Sequence, residues 1–309
     1  MTKKQEKKKI WPKVLLGSIV AVTAIYLGTC FYFINYSFGK HTRPETNQEH
    51  EDAKWLASVK KQNWYEIAVG NKDIKLTAIY VPAAVKTNKT IVVAHGWHEN
   101  YNIMSPYIKM FHNLGYNVLA PDDRGCGKSG GKYLSMGWLD RLDYVKWIHQ
   151  LIAKEGPDIK IGLFGVSMGG ATVMNVSGEK LPSQVKCVVE DCGFTSVNEE
   201  FSNVVREKFH IAPALILPLG SKIADPFIGF DLEKASTLNQ LKNNKLPIFF
   251  IHGGADKFVK TYMVYKNYDA TTALKQIWVT KGAGHADSYR DYPVEYQQKV
   301  GAFFDKYLN

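Results

Sequence analysis

Four cysteines in 309 residues leave little scope for a disulfide or metal framework. None stands in a C-x-x-C pair or at a Cys/His ligand spacing, which excludes a structural zinc site of the usual kind. Cys30 lies in an apolar run and Cys126 in a glycine loop, while Cys187 and Cys192 sit too close along one strand-like stretch for an easy bridge. A Cys126–Cys192 pair stays open. Internal repeats and low-complexity tracts are missing, which excludes a solenoid. A clustered basic surface is missing too, despite a net charge of +10. Residues 1–13 hold six lysines against Glu6, a balance of +5, and the other +5 is interspersed through the rest of the chain. A dedicated nucleic-acid surface is therefore excluded.

Charge is wholly absent from residues 14–39, VLLGSIVAVTAIYLGTCFYFINYSFG. As a helix, Val14 to Ile34 would cross about 30 Å of hydrocarbon. A cleavable signal peptide shares the basic start, but this run is longer than a signal h-region and no A-x-A-like site follows it. LGTC at 27–30 is a poor lipoprotein box, because Thr29 precedes the cysteine and the apolar run continues beyond it. Trp11, Tyr32, Phe33 and Tyr36 stand near the two ends, as interfacial aromatics do. The expected organisation is a basic cytoplasmic tail at 1–13, a transmembrane signal anchor at 14–36, a juxtamembrane linker at 37–60 and one domain at 61–309. By the positive-inside rule the lysines stay in the cytoplasm, so the domain is expected on the extracellular side of the cell membrane. With HTRPETNQEHEDAK (40–53) read as a polar linker, a chain lacking residues 1–40 is expected to be soluble and active.

The domain opens with two β-like runs, NWYEIAV (63–69) and IKLTAIYVP (74–82), joined by GNKD as a hairpin. From residue 90 short apolar runs alternate with stretches of helical period: TIVVAHG, NVLAPDD, IKIGLFG, VKCVVED, LPIFFIHG and LKQIWVT. Continuous apolar strands spaced by helices predict a mostly parallel sheet buried on both faces. PVEYQQKVGAFFDKYLN reads as a closing helix. About fifty residues between VKCVVED and LPIFFIHG break the alternation. Apolar and proline-punctuated, they are expected to form a small helical cap at about 194–245, the alternative being a core helix on a long connector.

A serine hydroxyl at pH 7 needs a base, and the base needs an orienting carboxylate. Ser167 sits in FGVSMGGA (164–171) straight after an apolar strand, with Gly165 and Gly169 permitting a sharp bend. Asp256 follows PIFFIHGGA and His285 follows IWVTKGAG, each at a strand end. The chain order Ser, Asp, His is that of the α/β-hydrolase fold, in which reactive groups collect outside the carboxyl ends of the strands. Asp191 also ends a strand and competes with Asp256 for the acid. Gly125, Gly127 and Gly130 spell G-x-G-x-x-G but not on the first βα turn, so dinucleotide binding is not supported.

On HGWHEN (95–100), DDRGCGKSGG (122–131), GVSMGG (165–170), IHGGADKFV (251–259) and GAGH (282–285), the chain resembles the α/β-hydrolase superfamily over about residues 60–309. It looks most like the membrane-anchored cell-surface serine hydrolases of Gram-positive bacteria. The resemblance implies an oxyanion hole from the backbone N–H groups of Trp97 and Met168. Two departures stand out: Cys126 occupies a glycine-loop position that often carries His, and NKDIKL replaces a DG turn in the hairpin. His95 reads as structural, whereas His98 is expected to touch substrate. Leu215, Ile216 and Phe227 are expected to line an acyl site under the cap.

The combined expectation is a serine hydrolase, in first place a carboxylesterase, with Ser167, His285 and Asp256 as its triad. A small-molecule or lipid-like ester is its partner, the membrane holds it through the N-terminal helix, and no cofactor or metal is implied. A peptidase or acyltransferase uses the same constellation. A catalytically silent surface module is the alternative of a different class.

Overall fold

The computed structural model describes residues 3–309; the first two residues of the expected basic tail lie outside the described residues. Helix α1 (Lys3–Phe38) contains the uncharged run, and its stretch Trp11–Phe38, with mean hydropathy 2.1, is long and apolar enough to cross a membrane. A short coil leads to α2 (Asn47–Ser58), then to the hairpin strands β1 (Gln62–Ile67) and β2 (Lys75–Val81). Next come β3 (Lys89–Ala94), α3 (Ser105–Asn113), β4 (Asn117–Asp122), α4 (Asp140–Glu155), β5 (Lys160–Val166), α5 (Met168–Ser177) and β6 (Val185–Asp191). The insertion holds α6 (Val197–Phe209), a 3-10 turn (Pro213–Leu215), α7 (Leu217–Ile228) and α8 (Thr237–Leu241). The chain closes with β7 (Ile248–Gly253), α9 (Tyr262–Ala270), β8 (Lys275–Thr280), α10 (Ser288–Asp291) and α11 (Pro293–Leu308).

All eight strand-like runs form one sheet of order β1-β2-β4-β3-β5-β6-β7-β8. The first two pairings, β1 with β2 and β2 with β4, are antiparallel, and every other pairing is parallel. Alternate residues of each strand feed opposite faces. Ile91, Val93 and Phe164 pack against α3 and α11 through Ile108, Phe111 and Phe304. Val92, Leu163 and Phe250 pack against α4, α5 and α9 through Trp147, Met174 and Val264. The order reverses at β3, which has β4 on one side and β5 on the other, so loops after β3 and β5 diverge there and leave a crevice.

A third cluster roofs that crevice, and it joins the end of α1 to the cap. Ile34 and Phe38 of α1 are buried with Met136, Phe194, Ile228 and Phe230. The end of α1 is also tied by hydrogen bonds: Leu134 N–H donates to the Phe38 carbonyl, and Trp97 Nε1–H donates to the Ser37 carbonyl at 2.8 Å.

The expected linker at 37–60 is thus no linker. Arg43 pairs with Glu49 and Glu99, each at 2.6 Å. Thr46 and Glu49 form a capping box that starts α2, a device worth about 1 kcal/mol. Leu56 is buried, and Lys109 on α3 pairs with Asp52 at 2.6 Å. Polar composition suggested a free tether, but these polar groups are spent on specific pairs. The cap boundary also shifts: α6 and α7 form the cap, whereas α8 returns to the body and places Leu241 in the core beside Met174.

The burial of Ile34 and Phe38 also argues against the expectation that residues 1–40 are dispensable. Ile34 and Phe38 each contribute about 1.5–3 kcal/mol by burial. A chain starting at residue 41 should melt on the order of 10 °C below one starting at residue 26, both in detergent. Equal melting temperatures would show that the anchor is only a tether.

Candidate active site

The turn after β5 is set by crowding. A Cβ on Gly165 would run into the carbonyl of Gly169, and a Cβ on Gly169 into the carbonyl of Ala94 at the end of β3. Without those side chains α5 starts directly against the sheet, and Ser167 is driven to φ 58, ψ −118. Such a conformation costs on the order of 1–3 kcal/mol for a non-glycine residue. It is held because Ser167 N–H donates to the Asp191 carbonyl at 2.8 Å and Ala171 N–H to the Ser167 carbonyl at 3.0 Å. The hydroxyl is thereby lifted out of the sheet into the crevice.

Ser167 Oγ lies 2.8 Å from His285 Nε2, and His285 Nδ1 lies 2.7 Å from Asp256 Oδ2. The Asp256 side chain is fully buried. Burial works to raise its pKa, but hydrogen bonds from His252 and His285 outweigh it and hold the carboxyl below its ordinary range. With Asp256 ionised, the proton on Nδ1 is fixed and Nε2 is left to accept from Ser167. The ring of Phe258 covers His285 at 5.0 Å between centroids.

Asp191, the competing acid, is directed elsewhere. Its Oδ2 accepts from the Tyr296 hydroxyl at 2.9 Å, and burial pushes its pKa up to about 6. Cys192 lies beside the pair: its thiol and ligand atoms of Asp256 and His285 fall within 4.8 Å of one another. Both ring nitrogens of His285 are engaged by Ser167 and Asp256, and burial pushes the Cys192 thiol well above its ordinary range. All four cysteines are free and buried, Cys126 and Cys192 included.

Trp97 and Met168 flank Ser167. Met168 is the first residue of α5, so its N–H has no carbonyl one turn back. Trp97 follows the tight turn in which Gly96 N–H donates to Glu99 Oε2 at 2.9 Å. Among the described residues neither N–H is used in a protein hydrogen bond. His95 pins this turn to the end of β4: Nδ1–H donates to the Gly96 carbonyl at 2.8 Å and Nε2 accepts from Asp123 N–H at 3.0 Å.

Two spaces meet at Ser167. One is a narrow apolar slot between Tyr36 and Ser37 of α1 and Phe201 and Val204 of α6, floored by Met136 and Phe194. Its free volume of about 20 Å³ is little more than a water molecule requires. The other is an open cleft of about 790 Å³ with both signs of charge, among them Arg43, Glu49, Glu99 and Arg290.

The substrate-contact expectations need correcting. His98 is buried away from both spaces, stacked on His41 at 3.3 Å with Nε2 near the Tyr36 carbonyl. Burial and the neighbouring His41 lower its pKa to about 4. Leu215 and Phe227 are 70% and 45% exposed, and Ile216 is buried against α1. None of the three lines the slot, because the apolar face of α7 is turned to α1 rather than to Ser167.

Sequence reasoning missed two titratable neighbours. His252 Nε2–H donates to the Val259 carbonyl at 2.9 Å and lies 3.3 Å from Asp256 Oδ2, steadying the acid from behind. A polar residue near the end of the otherwise apolar β7 was the available signal. Glu200 of α6 lines the slot with neither carboxyl oxygen paired, and burial, with Asp256 and Glu199 nearby, pushes its pKa up to about 8. One acid in a helix of ordinary composition gave no signal.

The family described as "Serine aminopeptidase, S33" matches residues 85–222. The Bacillus subtilis protein YqkD is 27% identical over 303 residues, covering 95% of this chain and 97% of its own. The Escherichia coli protein YfhR is 25% identical over 203 residues, covering 65% of this chain and 64% of its own. Among solved structures, the Pyrococcus furiosus esterase Pf2001 superposes with TM-score 0.68 and 25% identity, over 87% of this chain and 100% of that one. The Pyrococcus horikoshii acylaminoacyl peptidase superposes with TM-score 0.58 and 16% identity, over 83% of this chain and 43% of that one, a likeness of fold alone. With its mixed eight-stranded sheet, its helices on both faces and these relatives, the chain has the α/β-hydrolase fold, and its assignment to the α/β-hydrolase superfamily is supported.

Proposed function

We propose that the chain is a serine esterase in which Ser167 is the nucleophile, His285 the base and Asp256 the residue that fixes the imidazole. The unbroken relay from Ser167 Oγ through His285 to the buried Asp256 carries this reading. As Oγ attacks an acyl carbon, its proton passes to Nε2, and the negative charge that develops on the carbonyl oxygen meets the free N–H groups of Trp97 and Met168. Each such donor contributes about 3–4 kcal/mol to lowering the barrier. His285 then returns the proton to the departing alkoxide. Water, deprotonated by the same nitrogen, releases the acid and restores Ser167.

An acyl ester suits the chemistry of the two spaces, the acyl group in the apolar slot once its walls part and the alcohol in the open polar cleft. A peptidase reading draws on one observation, the unpaired Glu200 carboxyl in the slot, which would suit an amine if ionised. With a pKa pushed up to about 8 it is neutral at pH 7, and the ester reading is preferred.

Kinetics of three variants test the roles. Ser167→Ala should lower kcat for a nitrophenyl ester by on the order of 10³ or more, and Asp256→Asn by about 10⁴, since the wrong tautomer is then held. Asp191→Asn should cost less than about tenfold, because its carboxyl serves Tyr296. A dead Asp191 variant beside an active Asp256 variant would reverse the assignment of the acid.

Glu200 makes a pH signature. Its carboxyl is protonated below about pH 8, and ionisation above that puts an anion into the slot beside Asp256. Turnover of long acyl esters should fall as pH rises through 8, and Glu200→Gln should remove that fall. Because the folded-state pKa is raised above the ordinary glutamate value of 4.5, stability from this group is full below that value and is lost as pH rises through 8. Unfolding of the Glu200→Gln variant should therefore lack that loss. Wild-type and variant profiles that coincide would place Glu200 outside the substrate path.

A further inference from the structure

The cap exposes its apolar side chains where it meets the anchor. Residues 211–221, IAPALILPLGS, carry no charge, and Leu215 and Leu219 are 70% and 54% exposed. This segment and the helix α7 that it begins pack on α1. The Tyr26 hydroxyl donates to the Ile216 carbonyl at 3.3 Å, and Phe31 meets Phe227 edge-on at 5.5 Å. Just before it, Phe209 meets Phe33 at 4.7 Å.

Depth follows from these contacts. The uncharged part of α1 begins after Lys13 and ends before Lys40. A hydrocarbon layer takes about 20 residues of helix, so one entered at Val14 is left near Ile34. Sliding the span one turn toward the N-terminus would draw Lys13 and Ile10 into hydrocarbon and still leave Tyr26 and Cys30 at its edge. Residues 26–34 therefore lie within or at the border of the apolar layer, and whatever packs on them lies at the same depth. That is the 3-10 turn and the first turns of α7. Lys208, whose ammonium donates to the Tyr36 hydroxyl, marks the polar side of this border.

The slot points the same way. It opens from Ser167 between the last turn of α1 and α6, and those same two helices contact this apolar segment. The open cleft, with its paired charges of both signs, lies on the opposite side of Ser167.

We propose that residues 211–221 and the end of α1 form one membrane-embedded ledge, through which esters resident in that leaflet reach Ser167. The acyl chain enters along the α1–α6 seam, which must part because the slot is nearly full. The polar part stays in the open cleft, whose mixed charges suit a neutral or zwitterionic head. The substrate class is the acyl ester of a membrane lipid, and α1 is a wall of the site. This rests on the serine-esterase reading; the depth of the ledge does not.

The test uses the full chain in phosphatidylcholine vesicles. Leu215→Cys, Leu219→Cys and, as a control, Val85→Cys on the opposite edge of the parallel strands are labelled with an environment-sensitive fluorophore; the four native cysteines are buried. Lipids brominated on their acyl chains should quench the first two labels at least threefold more than the third. Equal quenching overturns the ledge, and cross-linking of two copies through Leu215→Cys without quenching assigns the surface to a second copy instead. In the same vesicles, Leu215→Asp with Leu219→Asp should lose tenfold or more on nitrophenyl palmitate in the bilayer and keep hydrolysis of soluble nitrophenyl acetate within twofold. Equal losses on both esters, or none, overturn the access route. Ser167→Ala separates the two claims: if it retains both activities the esterase reading fails, whereas the quenching result still decides the ledge.

Discussion

The close approach of α5 to the strands it follows is the constraint from which the site descends. Gly165 and Gly169 have no space for a Cβ, so the backbone of α5 touches the ends of β3 and β5 and Ser167 is forced into a strained conformation. Met168, as the first residue of α5, keeps an N–H with no carbonyl one turn back, and the close approach sets the start of α5 against the end of β3, which leads into the turn that holds Trp97. The raised hydroxyl and the position of this helix end follow from one packing decision. The relay then needs only strand register: β7 carries Asp256 just past its end, and β8 carries His285 just past its own.

Around this centre the insertion, the end of α1 and the loop after β3 are tied together. The insertion after β6 does not pack on the sheet alone, because Ile34 and Phe38 of α1 supply part of its core. Hydrogen bonds from Trp97 and near His98 to the last turn of α1 continue that tie down to the turn that flanks Ser167. Arg43, bridging Glu49 and Glu99, clamps the following segment to the same turn. The end of α1, the cap and the loop after β3 are therefore one packed body. A change in how α1 sits is a change in the wall of the slot.

The sheet was legible because buried parallel strands are continuous apolar runs, and each of the eight was bounded by a turn or a helix of clear period. Ser167, Asp256 and His285 were legible because each polar residue directly follows such a run. Chain order admits Asp191 as well as Asp256, since both lie between Ser167 and His285; the structure adds that Tyr296, from the closing helix, takes the Asp191 carboxyl. What composition cannot tell is which surface an apolar residue covers. Leu215, Ile216 and Phe227 are as apolar as an acyl site requires, yet they face α1 and the exterior. The segment 40–58 is as polar as a linker, yet its charges are consumed in pairs. Glu200 was invisible for a similar reason: only the packing of α6 removes it from water and leaves it unpaired.

The central claim is that Ser167 is activated by His285 and Asp256, and covalent labelling with a fluorophosphonate tests it most directly. Incubation at pH 7 followed by peptide mapping should find one equivalent of probe on Ser167, with no labelling of Ser167→Ala and labelling slowed by on the order of 10³ or more in a His285→Ala variant. Labelling that survives in the Ser167→Ala variant, or that proceeds at full rate without His285, would contradict the account.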